Sequence, residues 1–211
     1  PIVCTAITDF AASGLVKDND APGGNVTGTS DMNPVVDQID LLHQLAPEAK
    51  KVGLLYCTAE SNSKIQIELA AAELKKLGIE GVEHTASSSN EVQQVVESMM
   101  GKVDAIYTPT DNTIASAMTV IASIANEHKV PTVCGEVAHV EAGGLASLSI
   151  NYEELGRRAG EMAVRILTEG AEPAAMPIES MGAAECDLVY NGQTAEALGI
   201  DVTSLVEDGA T

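Results

Sequence analysis

Tryptophan is absent, phenylalanine occurs once and tyrosine four times in 211 residues. With 45% hydrophobic but only 2% aromatic content, the interior has to be built from Ala, Val, Ile, Leu and Met. Such side chains pack between helices and parallel strands, which favours an α/β fold over an aromatic-rich β-sandwich. Basic residues are also scarce: 11 Lys and Arg stand against 31 Asp and Glu, a formal net charge of −20. A phosphate backbone or an anionic lipid surface repels such a chain at long range, which excludes nucleic acid and membrane surface as partners. Acidity does not name a ligand, because helix N-termini still offer local positive charge. No apolar run reaches the roughly 18 residues that span a bilayer, and the start has no charged, signal-like lead-in. Its abrupt apolar opening, Pro1-Ile2-Val3-Cys4, raises the expectation of preceding sequence. Cys4, Cys57, Cys134 and Cys186 are far apart, with no CxxC pair and no Cys/His cluster at ligand spacing. That excludes a zinc site, implies no metal or cofactor, and favours small buried thiols over disulfides.

Short β-branched runs alternate with amphipathic stretches of helical length, the pattern of parallel strands joined by crossover helices. Strands are expected at 1–8, 25–29, 51–56, 81–84, 105–109, 132–135, 145–150, 176–181 and 187–190. Helices are expected at 35–45, 63–77, 91–100, 113–128, 152–168 and 194–198. Gly78 and Gly170 read as helix stops, Asn33-Pro34 and Asn112 as starts. The fold class is α/β: Rossmann-like parallel sheets with flanking helices.

Two segments resemble each other. Val3-Cys4-Thr5-Ala6-Ile7-Thr8-Asp9 is followed by Ala11-Ala12-Ser13-Gly14, and Ile106-Tyr107-Thr108-Pro109-Thr110-Asp111 by Ile114-Ala115-Ser116-Ala117. Each reads as a strand running into Thr-Asp and then a helix of small residues. Ligands of open α/β sheets bind at the carboxyl ends of strands, so two such ends suit two lobes facing a cleft.

Several blocks in order carry a more specific likeness. These are Thr5-Ala6-Ile7-Thr8-Asp9, Pro22 to Asp31, Glu60-Ser61-Asn62-Ser63, Pro109-Thr110-Asp111-Asn112-Thr113 and Tyr152-Glu153-Glu154-Leu155-Gly156. In these blocks the chain resembles the ABC-transporter substrate-binding proteins of the tryptophan/tyrosine-binding type. The resemblance implies a type I periplasmic-binding-protein fold with the second lobe nearly complete and the first partial. Residues 1–30 would end lobe one, 31–150 would form lobe two, and 151–211 would hold a return helix to lobe one and crossover strands. It further implies an extracellular, cell-surface lipoprotein or periplasmic protein, held to the membrane only through a lipid anchor upstream. Its partners would be a small-molecule ligand and an ABC transporter permease. Many members carry Pro where this chain has Phe10, and a polar residue where it has Cys57. The expected ligand is therefore an amino acid or similar small zwitterion, with an aromatic one among the candidates.

An amino acid presents a carboxylate and an ammonium, and a site must satisfy both once they leave water. Ser61, Asn62 and Ser63, at the start of a helix, suit the carboxylate; the same residue types serve equally as helix caps. Asp111 is the leading candidate for the ammonium, with Asp9 as its counterpart on lobe one and Glu136 as a third carboxylate at a strand end. Each of these also suits a cap or a solvated loop. Thr8, Thr110 and Asn112 can add neutral hydrogen bonds, and Phe10 and Tyr107 can stack on an aromatic ligand.

An enzyme is the less favoured reading. Asp9 and Asp111 could do acid/base work, but His43, His84 and His139 fall away from the Thr-Asp ends, and no nucleophile elbow, Walker loop or GxGxxG occurs. The alternative of another class is a ligand-sensing domain of a repressor or receptor, which shares the fold.

Overall fold

In the computed structural model, which describes residues 1–202 and 205, the chain forms two units that it crosses between three times. The smaller comprises Pro1–Asn33 and Ile150–Cys186, the larger Pro34–Ser149 and the chain from Asp187.

In the smaller unit, β1 (Ile2–Thr5) and β2 (Val26–Thr29) pair in parallel, with Cys4 opposite Gly28. The backbones approach so closely there that a Cβ on Gly28 would lie 2.0 Å from the Cys4 carbonyl oxygen. A single bridge from Glu179 to Thr29 continues the pairing. The expected strand at 176–181 is reduced to that bridge; Pro177 within it has no N–H to offer a ladder. The long helix α6 (Tyr152–Glu169) is capped by Asn151, whose side chain accepts from Glu154 N, and stops at Gly170 in the left-handed region. Residues 10–14 form turns and not the expected helix, ending at Gly14 with φ +71.

The larger unit opens with α1 (Val35–Leu45), followed by β3 (Lys51–Cys57), α2 (Ser61–Lys76), β4 (Glu80–Ala86), α3 (Ser89–Met99), β5 (Ala105–Thr108) and α4 (Asn112–Glu127). It continues through β6 (Thr132–Cys134), α5 (Val137–Glu141), β7 (Ala146–Ser149), β8 (Asp187–Tyr190) and α7 (Gly192–Leu198). Six strands form one sheet in the order β4-β3-β5-β6-β7-β8. All neighbours are parallel except β7 and β8. The antiparallel edge strand departs from the all-parallel expectation, and α5 was not anticipated.

Leu54 and Leu55 show how this sheet is held. Both lack exposed surface, yet successive strand residues leave opposite faces. Leu54 packs with Ile39, Leu42, Ile67 and Leu74 of α1 and α2. Leu55 packs with Val92, Val96, Ile114 and Met118 of α3 and α4. Fully burying one such side chain contributes about 1.5–3 kcal/mol. Helices on both faces leave only the strand ends for a ligand. Among the described residues no helix is long and apolar enough to cross a membrane.

Candidate functional site

β3, β5 and β6 are consecutive neighbours in the sheet, and the segments leaving their carboxyl ends carry Ser61 to Ser63, Thr110 to Asn112, and Glu136. At about 4.8 Å between strands, these ends span roughly 10 Å.

Asp111 is the N-cap of α4: Oδ1 accepts from Ile114 N at 2.9 Å. Oδ2 accepts from Cys57 N and from Ser63 Oγ, each at 2.7 Å. It has no exposed surface. Burial raises its carboxyl above the usual carboxylate range against the pull of those three bonds, and the nearby charge of Glu60 acts with burial. Asp111 therefore takes the capping alternative, and its expected contact with a ligand ammonium is not what this geometry provides. Ser63 goes with it, because its hydroxyl is buried and committed to Asp111.

Asn62 and Thr110 are likewise joined to each other, Asn62 Nδ2 donating to the Thr110 carbonyl at 3.0 Å. The buried Gln66 accepts from Thr110 N at 3.1 Å. Asn112 is exposed and donates through its backbone N to Glu60 Oε2 at 3.0 Å. Thr113 gives Glu60 Oε1 both its N and its hydroxyl at 2.8 Å. Burial alone would raise Glu60, but these donors outweigh it and hold the carboxyl at about 2. Sequence reasoning missed this role, although Glu60 stands directly before Ser61. The positive end of α4 is thus already neutralised by two carboxylates of the protein.

The N-terminus of α2 is different. Its N-cap residue is Glu60, but that side chain is turned to α4 and makes no cap bond here; the first turn holds no acidic residue, and Ser61 is exposed there. The first-turn N–H groups and the Ser61 hydroxyl are donors that an anionic group can accept from.

At the end of β6, Glu136 is half-buried. Its backbone is fixed by Gly135, where a Cβ would meet the Pro109 carbonyl carbon at 2.4 Å and Thr110 N at 2.5 Å. The Gly135 carbonyl accepts from Gln38 Nε2 at 3.1 Å, and Gln38 Oε1 accepts from Tyr107 OH at 2.7 Å. Tyr107 and Gln38 are fully buried, so Tyr107 is a core residue and not a stacking surface. His139 departs most from expectation. It is fully buried, with Nδ1 3.0 Å from Thr108 Oγ1 and Nε2 3.1 Å from Glu136 Oε1. It therefore stands at a Thr-Asp strand end and not away from one. The available signal was its i,i+3 spacing from Glu136.

In the smaller unit, Asp9 Oδ1 accepts from Ala12 N and from Asn19 Nδ2, each at 3.0 Å. The Ala12 bond is the largest cause of a lowered carboxyl, opposed by partial burial. The likeness between the two Thr-Asp segments is thus a shared turn, each Asp accepting from the N–H three residues on. Thr8 is buried and its carbonyl accepts from Ser30 Oγ at 2.7 Å. Phe10 has no exposed surface, so no face of it is open for stacking. Ala6, just before them, holds φ at 56, a costly conformation for a residue with a Cβ.

Among the described residues no group of three His, Cys, Asp or Glu is placed to hold a metal ion. What remains is a binding surface in which polar groups are ordered by one another, with an open helix end and a half-buried carboxylate. The sequence profile of the ABC transporter substrate binding protein family matches residues 1–211. The chain belongs to that family.

As a member of the ABC transporter substrate binding proteins it is 42% identical over 204 residues to a tyrosine-binding protein of Clostridioides difficile, covering 97% of this chain. It spans 58% of that relative's length. The structure is similar to that of an ABC domain from Streptococcus pneumonia in complex with L-Trp, at 40% identity and a TM-score of 0.90, covering 100% of this chain and 70% of the other. A LacI-family transcription repressor from Corynebacterium glutamicum is similar at 12% identity and a TM-score of 0.60, covering 80% of this chain and 67% of the other. That likeness shows the shared fold alone. The family is defined by binding a substrate, not by transforming one.

Proposed function

We propose that the full-length protein is the substrate-binding component of an ABC importer and that it binds an L-amino acid, with tryptophan and tyrosine the first candidates. It would act outside the cytoplasmic membrane and present the ligand to a permease. The observation that carries the ligand class is the placing, at the same edge of one sheet and on either side of the β5 end, of the uncapped α2 N-terminus at Ser61 and the half-buried carboxylate of Glu136. One suits a carboxylate and the other an ammonium. The ammonium role thereby passes from Asp111 to Glu136, and Asn62, Ser63, Thr110 and Asp111 hold the frame. The ligands of the two similar proteins, tyrosine and L-Trp, support the aromatic choice.

A thermal-shift panel of the full-length protein against the amino acids and several sugars tests this reading. A ligand at a hundred times its Kd stabilises by about 2.7 kcal/mol, so an aromatic amino acid should raise Tm clearly. A shift with sugars alone contradicts the proposal.

A further inference from the structure

The strand-end surface holds one fully buried titratable side chain with no role so far, His139. We propose that His139 is a positioning residue that fixes the Glu136 carboxylate for the ligand's ammonium. This inference rests on the reading of Glu136 given above.

Glu136 is the N-cap residue of α5, and His139 lies one turn further on. The spacing brings the imidazole back beside the carboxylate, Nε2 being 3.1 Å from Oε1. On its other side, Nδ1 is 3.0 Å from Thr108 Oγ1 at the end of β5. A carboxylate only accepts, so the ring proton facing Glu136 belongs on Nε2, and Nδ1 then accepts from the Thr108 hydroxyl. The Nε2 contact is short but off the hydrogen-bonding axis, because Nε2 has no aligned hydrogen-bond partner. It acts electrostatically, and the ring retains an unused polar edge turned toward Glu136.

An imidazole at 0% exposure is costly to bury when an apolar side chain could fill the space. The cost is understandable if the ring orders a group that matters. The Glu136 side chain, 16% exposed, is reachable from outside and restrained from within. Its backbone is held separately through Gly135 and Gln38. A glutamate side chain loses rotamer entropy on meeting a ligand, and a contact that narrows its range in advance reduces that loss.

The test is titration calorimetry of the full-length protein with L-tryptophan and with indole-3-propionate, which keeps the ring and the carboxylate but lacks the ammonium. His139→Leu should weaken L-tryptophan about tenfold, as lost preorganisation does, and leave indole-3-propionate unchanged. His139→Gln, which can return an N–H near the Nε2 position, should restore most of the affinity. In a Glu136→Gln background His139→Leu should add nothing. If His139→Leu does not fold, His139→Asn replaces it, keeping reach to Thr108 but not to Glu136. Equal weakening of both ligands, or a full effect in the Glu136→Gln background, overturns the positioning role alone. Failure of the unaltered protein to bind either L-tryptophan or L-tyrosine overturns the ligand reading and this role with it.

Discussion

The hydroxyl of Ser63 donates to Asp111 Oδ2 at 2.7 Å, and neither residue has any exposed surface. The bond ties the first turn of α2 to the cap of α4, and the same oxygen also accepts from Cys57 N at the end of β3. Three segments therefore converge on one carboxylate.

Asp111→Ala orphans two backbone N–H groups and leaves the Ser63 hydroxyl only its 3.5 Å contact with the Thr110 carbonyl; each buried unsatisfied group costs about 1–3 kcal/mol. A total loss of about 3 kcal/mol or more in urea denaturation is expected, against about 1 kcal/mol for Ser63→Ala. If Asp111→Ala is nearly neutral, the capping role assigned to it is wrong.

Glu60 gives a pH signature. Its folded carboxyl is held at about 2, below the ordinary value of 4.5. A lowered carboxyl contributes stability that is fully present above the unfolded pKa and lost as pH falls through the folded one. Glu60→Gln should therefore destabilise by about 1 kcal/mol at pH 7, screening by solvent included. The gap should narrow below pH 4.5 and close near pH 2. Denaturation curves of the two proteins across that range decide it, and a gap independent of pH contradicts the assignment.

The fold was largely legible in the sequence because hydrophobic runs and glycine stops mark strands and helices locally. What stayed hidden depends on distance in space. Five residues of α5 make too few turns to show a period, the direction of β8 follows from the path of the chain, and Pro177 is the one local sign against a strand at 176–181. The site followed the same division. Ser61 to Ser63 and Thr110 to Asn112 stand out in the sequence because strand ends and caps attract those residue types. That Asn62, Ser63, Thr110 and Asp111 engage one another depends on β3 lying beside β5. His139 was missed because a buried histidine has no apolar periodicity to announce it.

The cysteines make a chemical prediction. Cys57 and Cys134 are buried thiols; burial pushes the Cys134 thiol up to about 12. Reactivity requires an accessible thiolate. Cys57 and Cys134 should resist a thiol reagent in the folded protein and react on unfolding, as peptide mapping of the labelled sites can show. Rapid native labelling of Cys134 contradicts the burial described.

With a net charge of −20, self-repulsion opposes the compact state, and salt screens it. Between 0.01 and 1 M ionic strength the screening length falls from about 30 to about 3 Å. Melting temperature should rise over that interval. A fall would mean that attractive ion pairs such as Arg158–Glu185 outweigh the repulsion.

The most direct measurement is titration calorimetry of the full-length protein with L-tryptophan and L-tyrosine beside tryptamine, which lacks the carboxylate, and indole-3-propionate, which lacks the ammonium. At least one amino acid should bind, and for an L-tryptophan site either deletion should weaken binding about a hundredfold or more, since a site built for a polar group is left with unpaired partners without it. Binding of neither amino acid, or equal affinity for L-tryptophan and both analogues, would contradict an amino-acid site built on Ser61 and Glu136.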